Sequence, residues 1–232
     1  MTNKQNLEVL QLIARHLMLH SSFMENIGLL EGKMGVALFF YHYSVYTKKK
    51  LYNDFGGELI DDIYNEIHLN YPLDFKSGLS GIAWGIDYLI RNNFIDADPD
   101  DALEELDQKI LERDVRRITD ISLETGLTGL AYYTIGRFSN RNKNRHNIPY
   151  EYVVELIASL ESKLSKKDQE YHIIEDLKKI ISGELVLKTI NPLYQFYKES
   201  NYNINFTSEA DNSLGIINNG LTGIGLNLMG II

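Results

Sequence analysis

Apolar positions along this chain follow two rhythms. Residues 36–41 (VALFFY), 82–86 (IAWGI), 130–133 (LAYY) and 224–229 (IGLNLM) are apolar nearly all round. A helix of that kind is buried on every side. The segments between them are apolar on one face only. In 54–68 the face carries Leu59, Ile63 and Ile67; in 100–118 it carries Leu103, Leu106, Ile110 and Leu111; in 150–164 it carries Val153, Ile157, Leu160 and Leu164. That spacing predicts outer helices with one wet side. The helix over 100–118 has acids in its first turns and Arg113, Arg116 and Arg117 near its end, the order a helix dipole favours. Asp98-Pro99 and Asn191-Pro192 are helix-start signals, and Pro149 is a weaker one. Only 184–189 hints at strand alternation, and it is too short to build a sheet. The expectation is an all-α chain in which outer helix, turn and inner helix alternate.

Glycine marks the joints. The chain has 17 glycines against 4 prolines, and 14 of those glycines fall in windows 28–35, 78–85, 126–136 and 215–230. Each window holds a GxxG pair: Gly32/Gly35, Gly78/Gly81, Gly126/Gly129 and Gly220/Gly223. The pairs begin at 32, 78, 126 and 220, a period of roughly 47 with one degenerate unit near residue 173, which indicates a helical-pair array. GxxG at a helix start leaves two positions without side chains on one face. A neighbouring helix or loop can approach there, and the first glycine can take a turn conformation closed to other residues. The degenerate unit spans 150–182. Its second half, 168–182 (DQEYHIIEDLKKIIS), is amphipathic, which leaves open whether it supplies an inner helix.

Composition narrows the chemistry. The 232 residues include no cysteine, so disulfides, thiolate nucleophiles and cysteine-ligated metals are excluded. The net charge of −9 argues against nucleic acid as a partner. No apolar run is long enough to span a bilayer, so no membrane partner is expected. The polar residues 1–6 lack the order of a signal peptide, and a cytoplasmic location is expected.

The motif residues resemble the lanthionine synthetase C-like family. The resemblance rests on GLLEGKMGVALFFYHYS at 28–44, SGLSGIAWGIDYLI at 77–90, TGLTGLAYYTIGR at 125–137 and GIINNGLTGIGLNLMGI at 215–231. It implies an α/α toroid, here a single domain over 1–232 with about four to five hairpins and a ring that need not close completely. It also implies a central zinc held by two cysteines and a histidine just before the later GxxG pairs. That zinc activates a peptide thiol for thioether ring formation. This chain departs from the pattern there. Its GxxG pairs are preceded by Leu30-Glu31, Lys76-Ser77, Glu124-Thr125 and Asn218-Asn219, so no metal or cofactor is expected and neither is zinc-dependent cyclase activity.

In such a toroid the residues ahead of the inner helices line one mouth of the ring. Glu31, Lys76, Ser77, Glu124, Thr125, Asn218 and Asn219 are therefore the candidate binding set, and no catalytic residue is assigned. The plainer reading makes Ser77, Thr125 and Asn219 helix N-caps. Glu31 and Glu124 would suit glycoside hydrolysis if their carboxyls stood roughly 5 to 10 Å apart. Asp87, inside an apolar helix, calls for a partner such as a tyrosine or a helix N-terminus. His42 reads as a hydrogen-bonded structural histidine. His16 and His20 have metal-compatible spacing without an HExxH context. The 15 tyrosines, among them Tyr150, Tyr152, Tyr194, Tyr197 and Tyr202, mostly pack helices. Residues 137–145 (RFSNRNKNR) form a basic loop where an acidic leader peptide could dock, and 199–213 reads as a long polar loop. Three functions compete: a zinc-free accessory protein that binds a peptide or a modification-enzyme partner, a small glycan-active toroid, and a structural subunit completed by a partner or by homo-oligomerisation.

Overall fold

A helix starts within each GxxG pair, at the predicted place. The computed structural model describes residues 3–139, 147–184, 191–196 and 213–232. Among them are ten α-helices and no strand: α1 (Asn3–His20), α2 (Lys33–Thr47), α3 (Lys50–Glu66), α4 (Leu79–Arg91), α5 (Pro99–Ala102), α6 (Glu104–Leu111), α7 (Leu127–Phe138), α8 (Tyr150–Glu161), α9 (Tyr171–Ile181) and α10 (Leu221–Leu228). The segment 184–189 falls almost wholly outside the described residues, as do Tyr197, Tyr202 and nearly all of 199–213. No helix among those described is long and apolar enough to cross a membrane. The chain forms two compact units, Met1–Ile67 with Asn191–Ile232, and His68–Ile190.

The two rhythms become two kinds of helix. Every residue of α7 from Leu127 to Arg137 is buried, as are Lys33–Tyr41 of α2 and Leu221–Leu226 of α10. The outer helices bury one stripe: Leu59, Ile60 and Ile63 in α3, and Val153, Ile157 and Leu160 in α8. In the first unit α2 and α3 are joined at Lys48, whose φ of 57° makes the reversal. Aromatic side chains fill the seam between them, with ring centroids of Phe40 and Phe55 4.7 Å apart and of Tyr43 and Tyr52 4.6 Å apart. Lys33, buried at the start of α2, ion-pairs with Glu66 and lies 3.7 Å from Asp62 on α3. Both α1 and α2 pack against α10, so the two ends of the described chain share one core.

In the second unit α4 lies against α7, and α7 against both α8 and α9. The amphipathic α9 therefore packs on α7, burying Ile173, Ile174, Leu177 and Ile180. One expectation fails. The segment 100–118 is not a single helix but α5, α6 and a 3-10 turn over Val115–Arg117. The chain kinks at Leu103 (φ −115°, ψ 6°), and helix ends at Leu111. Arg116 and Arg117 pair with Asp114 beyond that end, so they do not serve a helix dipole. Asp98 caps α5 by accepting from the Asp100 amide at 2.9 Å. Asn191 accepts from Leu193 in the same way, but only a 3-10 turn (Pro192–Phe196) follows within the described residues.

Candidate functional site

The loop ahead of each motif helix folds back over that helix's first turn. The first free helical N–H donates to a carbonyl seven residues earlier: Lys33 to Asn26 at 2.9 Å, Leu79 to Pro72 at 2.8 Å and Leu127 to Asp120 at 3.0 Å. This satisfies donors that a helix start otherwise leaves orphaned. Short turns set the loop's path. The Asn26 side chain accepts from the Gly28 amide at 2.8 Å, and Asp120 accepts from the Ser122 amide at 2.8 Å. The fourth motif is one residue longer, and Leu221 donates to Ser213 at 2.8 Å, eight residues back. Asn218 and Asn219, both near φ +57°, lie within that longer loop; asparagine is one of the few residues that tolerates the left-handed region.

This geometry corrects the glycine and cap expectations. Gly32, Gly78, Gly126 and Gly220 are themselves the N-caps, with no side-chain cap bond. Their φ values are negative, so left-handed freedom is not what they supply. They are needed for space. An added Cβ at Gly32, Gly78 or Gly126 would lie under 3.0 Å from backbone six residues upstream, at Asn26, Pro72 or Asp120. Ser77, Thr125 and Asn219 are one position too early to cap. The Ser77 amide donates to Asp74 at 2.7 Å, and the Thr125 hydroxyl donates to Asp120. That hydroxyl, and then the Ser122 amide, hold the Asp120 carboxyl below its ordinary range.

The second glycine of each pair stands three residues on, inside the helix. Gly35, Gly81, Gly129 and Gly223 are each the third residue of α2, α4, α7 and α10, and all four are buried. The second glycine makes room for the motif's own returning loop and, at Gly35 and Gly129, also for a side chain of the neighbouring loop, as the sequence suggested. The motif's own returning loop comes first. A Cβ at Gly35, Gly129 or Gly223 would lie under 3.0 Å from the carbonyl oxygen of Leu29, Leu123 or Ile216 in that loop. At Gly223 the three nearest atoms all belong to Ile216 of that same loop. Beside Gly81, the Ser80 hydroxyl donates to the Leu73 carbonyl at 2.8 Å, which ties the first turn of α4 to its own loop in the same way.

Neighbouring loops are joined by a repeated rule. In the second unit the Glu124 carbonyl accepts from the amides of Phe75 (3.0 Å) and Lys76 (2.9 Å). In the first unit the Leu30 carbonyl accepts from the amides of Ile216 (2.7 Å) and Ile217 (3.3 Å). Both acceptors stand two residues before the motif glycine. The side chains obey the same rule. Phe75 sits over Gly129, whose Cβ would meet it at 2.6 Å, and Ile216 sits over Gly35, at 3.1 Å. The last motif thus meets the first as the second meets the third.

The candidate set divides between the units. Glu31, Asn218 and Asn219 belong to the first, where the Asn218 amide donates to the Glu31 carboxylate at 3.4 Å. Lys76, Ser77, Glu124 and Thr125 belong to the second, where backbone bonds bring Lys76 to Glu124. Asn218, Asn219 and Thr125 are exposed; Glu31, Lys76, Ser77 and Glu124 are half-buried. Glu31 and Glu124 stand in different units, so neither unit holds both carboxylates. The zinc implied by the resemblance does not fit these residues. The donors are an amine, two hydroxyls, two amides and two carboxylates, with no thiolate or imidazole. Among the described residues no group of three or more His, Asp or Glu could hold a metal ion.

Asp87 has partners that sequence reasoning missed. It is fully buried on α4 and pairs with Arg91 at 2.5 Å and Arg137 at 3.2 Å. Arg137 is also bonded to Asp107 (2.5 Å) and Asp100 (2.8 Å), while Tyr133 donates to Asp107. Burial alone would lower the Arg137 pKa, but the bonds and charge of Asp107, with Asp87, more than reverse that and keep it cationic. Arg137 is therefore buried in α7 and does not begin a basic surface loop; residues 140–146 lie outside the described part. The sequence carried one signal for it, that Arg137 ends the apolar run of α7, but nothing there pairs it with Asp87. His42 is half-buried on α2, and burial pushes its pKa down to about 4. Tyr150 packs its ring 5.7 Å from Phe138, and Tyr152 is buried in α8. Tyr194 is exposed.

No protein-family model, no curated protein and no solved structure matches this chain.

Proposed function

We propose that this chain is a lanthionine synthetase C-like protein without the family's catalytic zinc, an α/α toroid in the cytoplasm that binds a peptide at its motif loops. It serves peptide modification as an accessory and closes no thioether rings itself. One observation carries the reading: the same loop-to-loop hydrogen bonds join the last motif to the first and the second to the third. A helical array whose end meets its beginning by its own internal rule is what a ring of hairpins requires. The loops in question carry Glu31, Asn218 and Asn219 in one unit and Lys76, Ser77, Glu124 and Thr125 in the other. These amides, hydroxyls and charges can hydrogen-bond an extended peptide backbone, and none can generate a thiolate-binding Lewis acid.

The test uses a fluorescently labelled precursor peptide with an acidic leader and a dehydrated, cysteine-containing core. Anisotropy should report saturable binding that Lys76→Glu and Asn218→Ala each weaken severalfold. Alkylation and mass spectrometry should then find every peptide thiol still free after incubation with zinc and protein. Absence of binding, or loss of free thiols, would overturn the proposal.

A further inference from the structure

Helix α1 is apolar on two faces. Leu10, Ile13, Ala14 and Leu17 are fully buried in the first unit. On the other side Leu12 (45 % exposed), Leu19 (69 %) and, just beyond the helix, Phe23 (83 %) stand in water at i, i+7 and i+11. A helix with an apolar stripe on each side is one that is covered on each side. Beside that outer stripe lie His16 and His20, one helical turn apart, both half-buried, their ring centroids 4.3 Å apart and tilted by 40°.

We infer that His16 and His20 form half of a divalent transition-metal site, and that a second copy of this chain brings the other half. Two imidazoles one turn apart on a helix reach a common ion. Zinc bound by nitrogen takes four ligands in a tetrahedron, and no third His, Asp or Glu joins this pair among the described residues. A two-fold axis beside α1 supplies the same two histidines again, giving a four-imidazole set. The same axis lays Leu12, Leu19 and Phe23 of one copy against those of the other. Charge favours this face as well. Copies of a chain carrying −9 repel one another, yet from Gln5 to His20 of α1 Arg15 offsets the one acid, Glu8. The ion adds positive charge at the contact. One helix face is smaller than a stable metal-free dimer needs, so the metal decides the association. None of the motif-loop residues takes part, and the peptide-binding reading stands or falls separately.

The experiment measures the mass of the full chain by light scattering, first with chelator and then with increasing zinc. The chelated protein should run at 26.7 kDa and the zinc-loaded protein at twice that, saturating at about 0.5 ion per chain. Chelator should restore the single chain. His16→Ala and His20→Ala should each stay at the single-chain mass with unchanged far-ultraviolet dichroism. Leu19→Asp should weaken zinc-driven dimerisation at least tenfold. A chain that stays single at every zinc level overturns the inference. So does a dimer that survives chelation or persists in His16→Ala.

Discussion

An alanine methyl at Gly129 would sit 2.6 Å from the Phe75 β-carbon and closer still to the Leu123 carbonyl oxygen. Backbone on one side and a buried ring on the other leave nowhere to move. Gly129→Ala should therefore cost about 2–3 kcal/mol in urea unfolding. The same exchange at Gly57, within α3, meets only the Tyr41 hydroxyl at 3.8 Å. There the helix gains from losing a flexible residue, and Gly57→Ala should stabilise by about 0.5–1 kcal/mol. Opposite signs for one chemical change would confirm that space, not backbone freedom, fixes the motif glycines. His42 supplies a second residue-scale test. Its folded pKa of about 4 lies below its ordinary value of 6.5, so the folded state resists its protonation. The associated stability is complete above pH 6.5 and is lost as pH falls through 4. The full loss is at most about 3 kcal/mol. Unfolding midpoints measured from pH 7 to 4 should fall less steeply for His42→Gln.

At the scale of elements, the motif loops make a sharper forecast. The fourth loop reaches its acceptor in eight residues, against seven in the others. Deleting Asn219 would give it the common length and remove one left-handed residue. Deleting Thr125 would shorten a loop already at that length and part the Asp120–Thr125 bond. Thermal melting should show the Asn219 deletion to be much the milder of the two. These loops also show what was legible beforehand. All-round apolarity in 130–133 and a single stripe in 150–164 announced buried and outer helices, because burial is written directly into composition. The break of 100–118 was hidden, since its stripe through Leu103, Leu106 and Ile110 continues across the kink. What bends the segment lies elsewhere in the chain. Asp100 and Asp107 both reach Arg137, thirty or more residues away, and no local pattern encodes that meeting. Capping by Ser77 and Thr125 was a fair reading of residue type that missed the loop's path, because carbonyls of the returning loop already take the helix amides.

For the whole molecule, the telling arrangement is that residues 213–232 complete the unit begun by residues 3–67. Removing 213–232 would strip Ile216 from Gly35 and leave Phe39 and Ile13 without Gly225. Hydrogen exchange on that truncated protein should show α2 and α3 unprotected. α4 and α7, which pack on each other within His68–Ile190, should keep their protection. The candidate loops were legible as positions but not as a site, because a sequence orders its motifs along a line and cannot say which of them touch. The order of synthesis has a further consequence. A ribosome makes α2, the most aromatic of the buried helices, long before α10, which completes its cover. The segment His68–Ile190 can fold in the interval. The face of α2 that carries Phe39 waits for α10 through some 180 residues of translation, at roughly 5–20 residues per second. The nascent chain is therefore a natural client for a holding chaperone, and its yield in cells should depend on how fast the stretch between α2 and α10 is translated.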